Sequence, residues 1–256
     1  MVLAADKELQ QLKNRFHDLA DKAYRQNTFT FTGFLGLSQQ NMFWQEEPRL
    51  RYAGYCFFGG ADNCDRQMLR FGNVEELGYE EAFGIACIHI TPSQEKFSDD
   101  LSHRDFLGAL MNLGIERSTL GDIRVGNREA YVFCQENIAH YICSQMDRVK
   151  HTPVRCKIVQ EMKDIPVEEP LLVTVQVASE RIDAVIARLY HKSRGDVLEL
   201  FRCGKVFVDG RLCENNSRML KPREIVNVRG FGKFDYQGVK NETRKGKLSV
   251  QAAVYR

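Results

Sequence analysis

At 256 residues, with 27% charged and 43% hydrophobic side chains, the chain is long enough for two compact domains or three small ones and has a globular rather than a disordered composition. No apolar run approaches the roughly 18–20 residues of a bilayer-crossing helix, and "MVLAADKELQQLKNRF" lacks the basic start and apolar block of a secretion signal, so a soluble, cytoplasmic protein is expected. The net charge of +2 conceals an acidic body and a basic tail, with 17 Lys/Arg against 8 Asp/Glu after residue 180 and 19 against 26 before it, which directs the C-terminal part toward a polyanion, nucleic acid before membrane.

Residues 6–25, with Leu9, Leu12 and Phe16 on one stripe, predict an amphipathic helix, and "LSQQNMFWQE" predicts another with Ser38 as its N-cap. "RYAGYCFFGGADNCDRQMLRFG" predicts two strands joined around Gly59-Gly60, closing a small N-terminal α/β unit over residues 1–78. From Phe83 the order is strand "FGIACIHI", helix "HRDFLGALMNLG" starting after Ser102, strands "LGDIRV" and "EAYVFC", helix "QENIAHYICSQM" and extended "PVRCKIV". That β-α-β-β-α-β order is ferredoxin-like, or RNA-recognition-like, with both helices on one face of four strands, and it assigns residues 79–165 to a middle domain; an irregular α+β segment is the alternative.

"KDIPVEEP" suits a linker into a last domain over residues 166–256, with its core in 180–235. Strand "LLVTVQVA" leads to helix "SERIDAVIARLY", capped by Ser179 and apolar at Ile182, Val185, Ile186 and Leu189. A second helix starts at Ser193 with Asp196 three residues on, buries Val197, Leu198 and Phe201, and ends at Gly204. Strand "KVFVDG", a turn at Asp209-Gly210, and strands in "EIVNVRGFGKFDY" and "GKLSVQAAVYR" complete an α+β chain.

Candidate chemistry is sparse in the body and concentrated in the tail. The eight cysteines show no Cys-x-x-Cys pair and no His at finger spacing, so neither metal nor cofactor is expected. Arg188 and Lys192 lie four apart on one helix face, and Arg194, Arg202 and Lys205 lie on or just after the next helix. A rigid helix corner bearing several cations is what a reader of folded RNA needs, since phosphates, not base edges, dominate such contacts.

"SERIDAVIARLYHKSRGDVLELFRCGKVFVDGRLCENNSRMLKPREIVNVRGFGKF" resembles the S-four RNA-binding domain, named after ribosomal small-subunit protein four. The likeness rests on Arg181-x-Asp183, Ser193-Arg194, Gly204-x-Val206-x-Val208-x-Gly210 and Arg229-Gly230. Where the family usually carries Gly-Asp before its closing strand, this chain has Pro222-Arg223-Glu224, which adds a cation. "CFFGGADNCDRQMLRFG" and "LSHRDFLGALMNLGIERSTLGDIRV" resemble the YlmH family of bacterial and cyanobacterial S-four-domain proteins nearly end to end. The resemblance implies an RNA-binding protein of translation quality control, with large-subunit rRNA, the large ribosomal subunit and peptidyl-tRNA in stalled complexes as partners, and with no membrane or small-molecule substrate. Taken with the helix-corner cations, the candidate RNA-binding residues are Arg181, Arg188, Lys192, Ser193, Arg194, Arg202, Lys205, Arg229, Lys233, Arg244 and Lys245. Lys240 and Lys247 share the basic hairpin tip "KNETRKGK" with the last two.

His103-Arg104-Asp105 resembles a kinase catalytic loop only superficially, since position 110 is Leu where that loop needs Asn; His103 and Arg104 remain a possible second RNA contact. "RGFG" lacks the third glycine of a dinucleotide site. RNA-modifying enzymes with an S-four domain, of pseudouridine synthase or methyltransferase type, form the rival class, but residues 1–180 carry neither a catalytic Asp in a Gly-Arg-Leu-Asp context nor a methyl-donor glycine loop. No residue is assigned as catalytic. A protein adaptor using the acidic body is a third reading.

Overall fold

The structure, a computed structural model, describes residues 2–94, 100–126, 128–160, 165, 169–243 and 246–255. The chain is α+β and divides into two compact units, Met1–Pro166 and Val167–Arg256.

The first unit opens with α1 (Val2–Gln26), β1 (Thr30–Phe31), α2 (Leu37–Leu50), β2 (Tyr55–Phe58), β3 (Met68–Phe71) and the one-turn α3 (Val74–Leu77), the strands forming an antiparallel sheet in the order β1-β3-β2. Phe16, Ala20 and Ala23 on the buried stripe of α1 meet Phe43 and Leu50 of α2 and Leu69 and Phe71 of β3. Phe43 is the hub, with the rings of Phe16, Trp44, Tyr55 and Phe57 edge-on around it at 4.8–5.8 Å. The N-cap of α2 is Gly36, not Ser38: the extended Gly36 donates its N–H to Oε1 of Gln39 at 2.9 Å, so the reach-back of Gln39 fixes the start two residues earlier than the Ser signal suggests.

The same unit continues with β4 (Ile85–Pro92), α4 (His103–Asn112), β5 (Leu120–Val125), β6 (Ala130–Gln135), α5 (Glu136–Gln145), β7 (Arg148–Val149) and β8 (Thr152–Ile158). These strands form an antiparallel sheet in the order β5-β6-β4-β8-β7, a β-α-β-β-α-β succession with the two-residue β7 inserted before the last strand. Strand alternation sends Ala86, Ile88, Ile90, Ala130, Val132 and Cys134 to one face, where they pack on Phe106 and Leu110 of α4 and Ala139 and Ile142 of α5. The opposite face carries Cys87 and Phe133, both fully buried against Phe34, Cys64, Met68 and Ile165. The approach is close enough to demand glycine: a Cβ on Gly60 would lie 2.5 Å from Cδ1 of Phe133, and Gly60 has φ 101°. Arg66 stitches the two layers, donating to the carbonyls of Phe34, Leu120 and Arg117 at 2.9 Å each, while the Asp122 carboxylate accepts from the N–H groups of Asp65 and Arg66.

The second unit consists of β9 (Leu171–Val177), α6 (Ile182–Leu189), α7 (Arg194–Arg202), β10 (Val206–Val208), β11 (Arg211–Leu212), β12 (Ile225–Val228), β13 (Gly232–Glu242) and β14 (Leu248–Tyr255). Its antiparallel sheet runs β11-β10-β12-β13-β14-β9. Ile182, Val185 and Ile186 of α6 and Val197, Leu200 and Phe201 of α7 pack on Val206, Val226, Phe234, Val250 and their neighbours. Leu200, not Leu198, completes the buried face of α7, because 197, 200 and 201 share one stripe and Leu198 is turned about 100° from Val197. Asp209 (φ 49°) and Gly210 (φ 74°) both take positive φ, the two-residue hairpin turn that Asp-Gly favours.

Candidate nucleic-acid interface

The corner between α6 and α7 is fixed by capping at both ends. Beyond Tyr190, His191 takes the left-handed conformation (φ 51°) and Lys192 donates its N–H back to the Ala187 carbonyl at 2.9 Å, closing α6. Ser193 then caps α7: its Oγ accepts from the Asp196 N–H at 3.2 Å, and its own N–H and hydroxyl donate to Oδ2 of Asp196 at 3.2 and 2.7 Å. Those hydrogen bonds, led by that of the Ser193 hydroxyl, hold the Asp196 carboxyl below the usual carboxylate range. Ser193 therefore shapes the corner and is itself exposed there.

Around this corner lies a depression of about 590 Å³. Arg181, Arg188, Lys192 and Arg194 line it together with Gln176, Ser179, His191 and Lys247. A second hollow of about 250 Å³ adjoins through Lys192 and is lined by Lys205, Asp196, Glu199, Cys203 and Phe231. Lys192 stands with Nζ 4.7 Å from the centroid of the exposed Phe231 ring. Arg188, Arg194 and Lys205 are exposed and make no ion pair with a described residue.

The other sequence candidates divide. Arg181 is tied to the buried Asp183; Arg202 pairs with Glu199 at 3.7 Å and lines neither hollow. Arg229 is exposed with its guanidinium 5.0 Å over the Phe207 ring, and its N–H donates to the Lys205 carbonyl. Lys233 is only 9% exposed, with its ammonium over the Tyr255 ring, because the register of β13 turns it into the sheet's packing and away from the exposed patch. Arg244 and Lys245 lie outside the described residues. His191 and Phe231 were not singled out by sequence; a lone His and an aromatic in a Gly-x-Gly turn carry no pattern that marks them.

His103 and Arg104 are exposed at the start of α4 in the first unit, apart from the corner in sequence. Asp105 accepts from the Ser102 N–H and hydroxyl at 2.8 and 2.7 Å and pairs with Lys150 at 2.9 Å, and these bonds, led by the Ser102 hydroxyl, pull its carboxyl down to about 2. Partial desolvation, with the Arg117 charge, holds His103 below its ordinary value. Among the described residues no group of three or more His, Cys, Asp or Glu side chains forms a metal site, and no helix is long and apolar enough to cross a membrane.

Residues 79–163 match the family model described as "Putative RNA-binding domain in YlmH". Over 198 residues the chain is 26% identical to "Ribosome-associated protein quality control protein P2" of Bacillus subtilis (strain 168), an alignment that spans 77% of this chain and 76% of the relative. Among solved structures, "Cell division protein ylmH from Streptococcus pneumoniae" aligns with a TM-score of 0.47 and 17% identity, covering 62% of this chain and 95% of that one.

Proposed function

We propose that the chain is a YlmH-family protein and that it is a non-catalytic, cytoplasmic RNA-binding protein that docks on structured RNA of the translation apparatus. In this reading residues 166–256 are an S-four domain and residues 79–165 a ferredoxin-like domain backed by the layer of residues 1–78. The docking target is large-subunit rRNA, peptidyl-tRNA in stalled translation complexes, or both. The name of the Bacillus subtilis relative, a ribosome-associated quality control protein, supports the ribosomal setting.

The observation that carries the reading is the α6–α7 corner. Arg188, Lys192 and Arg194 project from a backbone locked by two caps, with Lys247 across the depression and Lys205 in the next hollow. Cations at fixed spacing suit a polyanion whose phosphates are themselves at fixed spacing, as in a folded RNA helix.

About five phosphate contacts give a salt dependence of roughly −3.5 to −4.5 in log K against log salt, at −0.7 to −0.9 per contact. The test is a titration of the full chain with ribosomal subunits and with tRNA over a salt series, alongside Arg194→Glu/Lys205→Glu. A steep slope in the wild type, lost together with binding in a variant whose circular dichroism is unchanged, is the expected result. A slope near zero, or full binding by the double variant, removes the corner as the docking surface. Sedimentation with the large-subunit fractions in a sucrose gradient, with ultraviolet cross-links in their rRNA or tRNA, is expected; residence at the top of the gradient overturns the ribosomal assignment.

A further inference from the structure

The antiparallel register of the five-stranded sheet aligns Arg124 on β5, Tyr131 on β6, His89 on β4 and Lys157 on β8 in a single row across four strands. By alternation the row shares the face of Cys87 and Phe133, opposite α4 and α5. That face is half closed. Phe34, Met68 and Cys64 cover the inner part around Cys87 and Phe133, whereas the His89 side chain is 29% exposed, Tyr131 is partly exposed, and Lys157 and Arg155 are exposed.

The two rings at the centre of the row are stacked, their planes 6° apart and their centroids separated by 4.4 Å. Glu129 fixes the imidazole, with Oε2 2.7 Å from Nε2 of His89. On the β5 side the Arg124 guanidinium is held over the Phe133 ring at 5.4 Å and donates to the Asp62 carbonyl. On the β8 side Lys157 and Arg155 make no ion pair with a described residue.

We propose that this row is a second RNA site, a stacking platform for unpaired bases of a single strand. The inference rests on the reading of the chain as an RNA-binding protein and adds to it a site, in the first unit, for a different form of RNA. A parallel ring pair leaves each ring one face turned away from its partner, and a base placed there extends the stack irrespective of its identity. Arg155 and Lys157 beside the pair meet the phosphates. Because the N-terminal layer closes the inner half of the face, the platform takes fewer than the two or three bases that an open four-stranded sheet of this type stacks. A duplex keeps its bases paired and offers them no entry. Were the row only a cross-strand pair stabilising the sheet, removing the Tyr131 ring would change stability and leave RNA binding intact.

The experiment uses the full chain and two probes: a short oligouridylate carrying one 4-thiouridine, and a blunt RNA duplex. Ultraviolet cross-linking is expected to attach the thiouridine within the segments that hold His89 and Tyr131. Tyr131→Ala should weaken oligouridylate binding roughly 5- to 150-fold, the span for one stacked base, while Tyr131→Phe retains it. Lys157→Glu should also weaken it, and none of the three should alter duplex binding. Arg194→Glu/Lys205→Glu should do the converse. Cross-links confined to residues 169–255, or wild-type oligouridylate affinity in a folded Tyr131→Ala, overturns the platform. If Tyr131→Ala does not fold, the surface variant Lys157→Glu decides, and unchanged affinity there overturns it as well. A wild-type chain that binds the duplex but not the oligouridylate sinks this inference alone; one that binds neither sinks the proposed function with it.

Discussion

Arg181 grips Asp183, two residues along the chain, through Nε to Oδ1 at 3.0 Å and Nη2 to Oδ2 at 2.6 Å, and Nδ2 of Asn216 donates to the same carboxylate at 3.0 Å. Asp183 is 5% exposed. Burial alone would raise its carboxyl, but the hydrogen bonds from Arg181 and Asn216 outweigh that and hold it below the usual carboxylate range. The N–H groups of Ile182 and Asp183 donate to the carbonyls of Arg218 and Asn216, so the pair also pins that loop to the start of α6.

Arg181 is accordingly expected to act on stability through Asp183, while also lining the depression proposed for RNA. Asn216→Ala should destabilise the protein by about 1.5–3 kcal/mol, the value of a hydrogen bond to a charged, buried partner. Arg181→Ala should lower Tm, whereas Arg188→Ala should leave stability within about 0.5 kcal/mol and reduce the salt slope of RNA binding by about 0.7 to 0.9. Thermal melts and salt titrations of the same three variants separate the roles, and equal Tm values for the two arginine variants would remove the distinction.

Gly60 sits where the N-terminal layer meets the second sheet. Gly60→Ala drives a methyl into the Phe133 ring at a positive φ and should cost about 1–3 kcal/mol, seen as a lower midpoint in urea at unchanged m-value. Gly108, exposed within α4 with open space around it, provides the contrast: Gly108→Ala should stabilise by about 0.5–1 kcal/mol.

Arg223 stands in the Pro222-Arg223-Glu224 turn just before β12. It adopts φ 72° and donates its N–H to the Tyr236 carbonyl at 2.7 Å, so the turn is kept by forcing a side-chain-bearing residue into left-handed backbone. Such a residue is strained by about 1–2 kcal/mol, partly offset on substitution by the greater chain entropy of glycine. Arg223→Gly should therefore raise stability by about 0.5–1 kcal/mol; a destabilised variant would show that the side chain holds the turn.

Asp105 carries a predicted pH dependence. Its carboxyl lies at about 2 in the folded chain against an ordinary 3.8. A depressed carboxylate contributes stability that is fully present above the unfolded value and is lost as pH falls through the folded one. Urea midpoints should consequently drop between pH 3.8 and about pH 2, and Asp105→Asn should flatten that part of the profile. A profile identical in the variant would reassign acid sensitivity to other carboxylates.

The features legible in the sequence are those set by chemistry within a few residues. Ser193 with Asp196 starts α7, Ser102 with Asp105 starts α4, and Asp209-Gly210 turns a hairpin, because a cap or a tight turn is satisfied by its immediate neighbours. The strand succession of the second sheet, and the cations at 188, 192 and 194 around one corner, follow from periodicity that the sequence displays directly. The start of α2 at Gly36 was hidden because glycine offers no side-chain oxygen, and β1 and β7 because two-residue strands have no period.

Tertiary structure alone decided what depends on partners distant in the chain. Lys233 has the same residue type and local surroundings as an exposed cation, yet the pairing of β13 with β14 buries it beside Tyr255. Arg124, Tyr131, His89 and Lys157 are separated by up to 68 positions, and only strand register makes them a row. Which half of that sheet face stays open was fixed by Phe34 and Gly60 docking on Phe133, a contact for which the local sequence of either strand holds no sign. Side-chain chemistry is written residue by residue, whereas burial is a property of surfaces that exist only once the strands have paired.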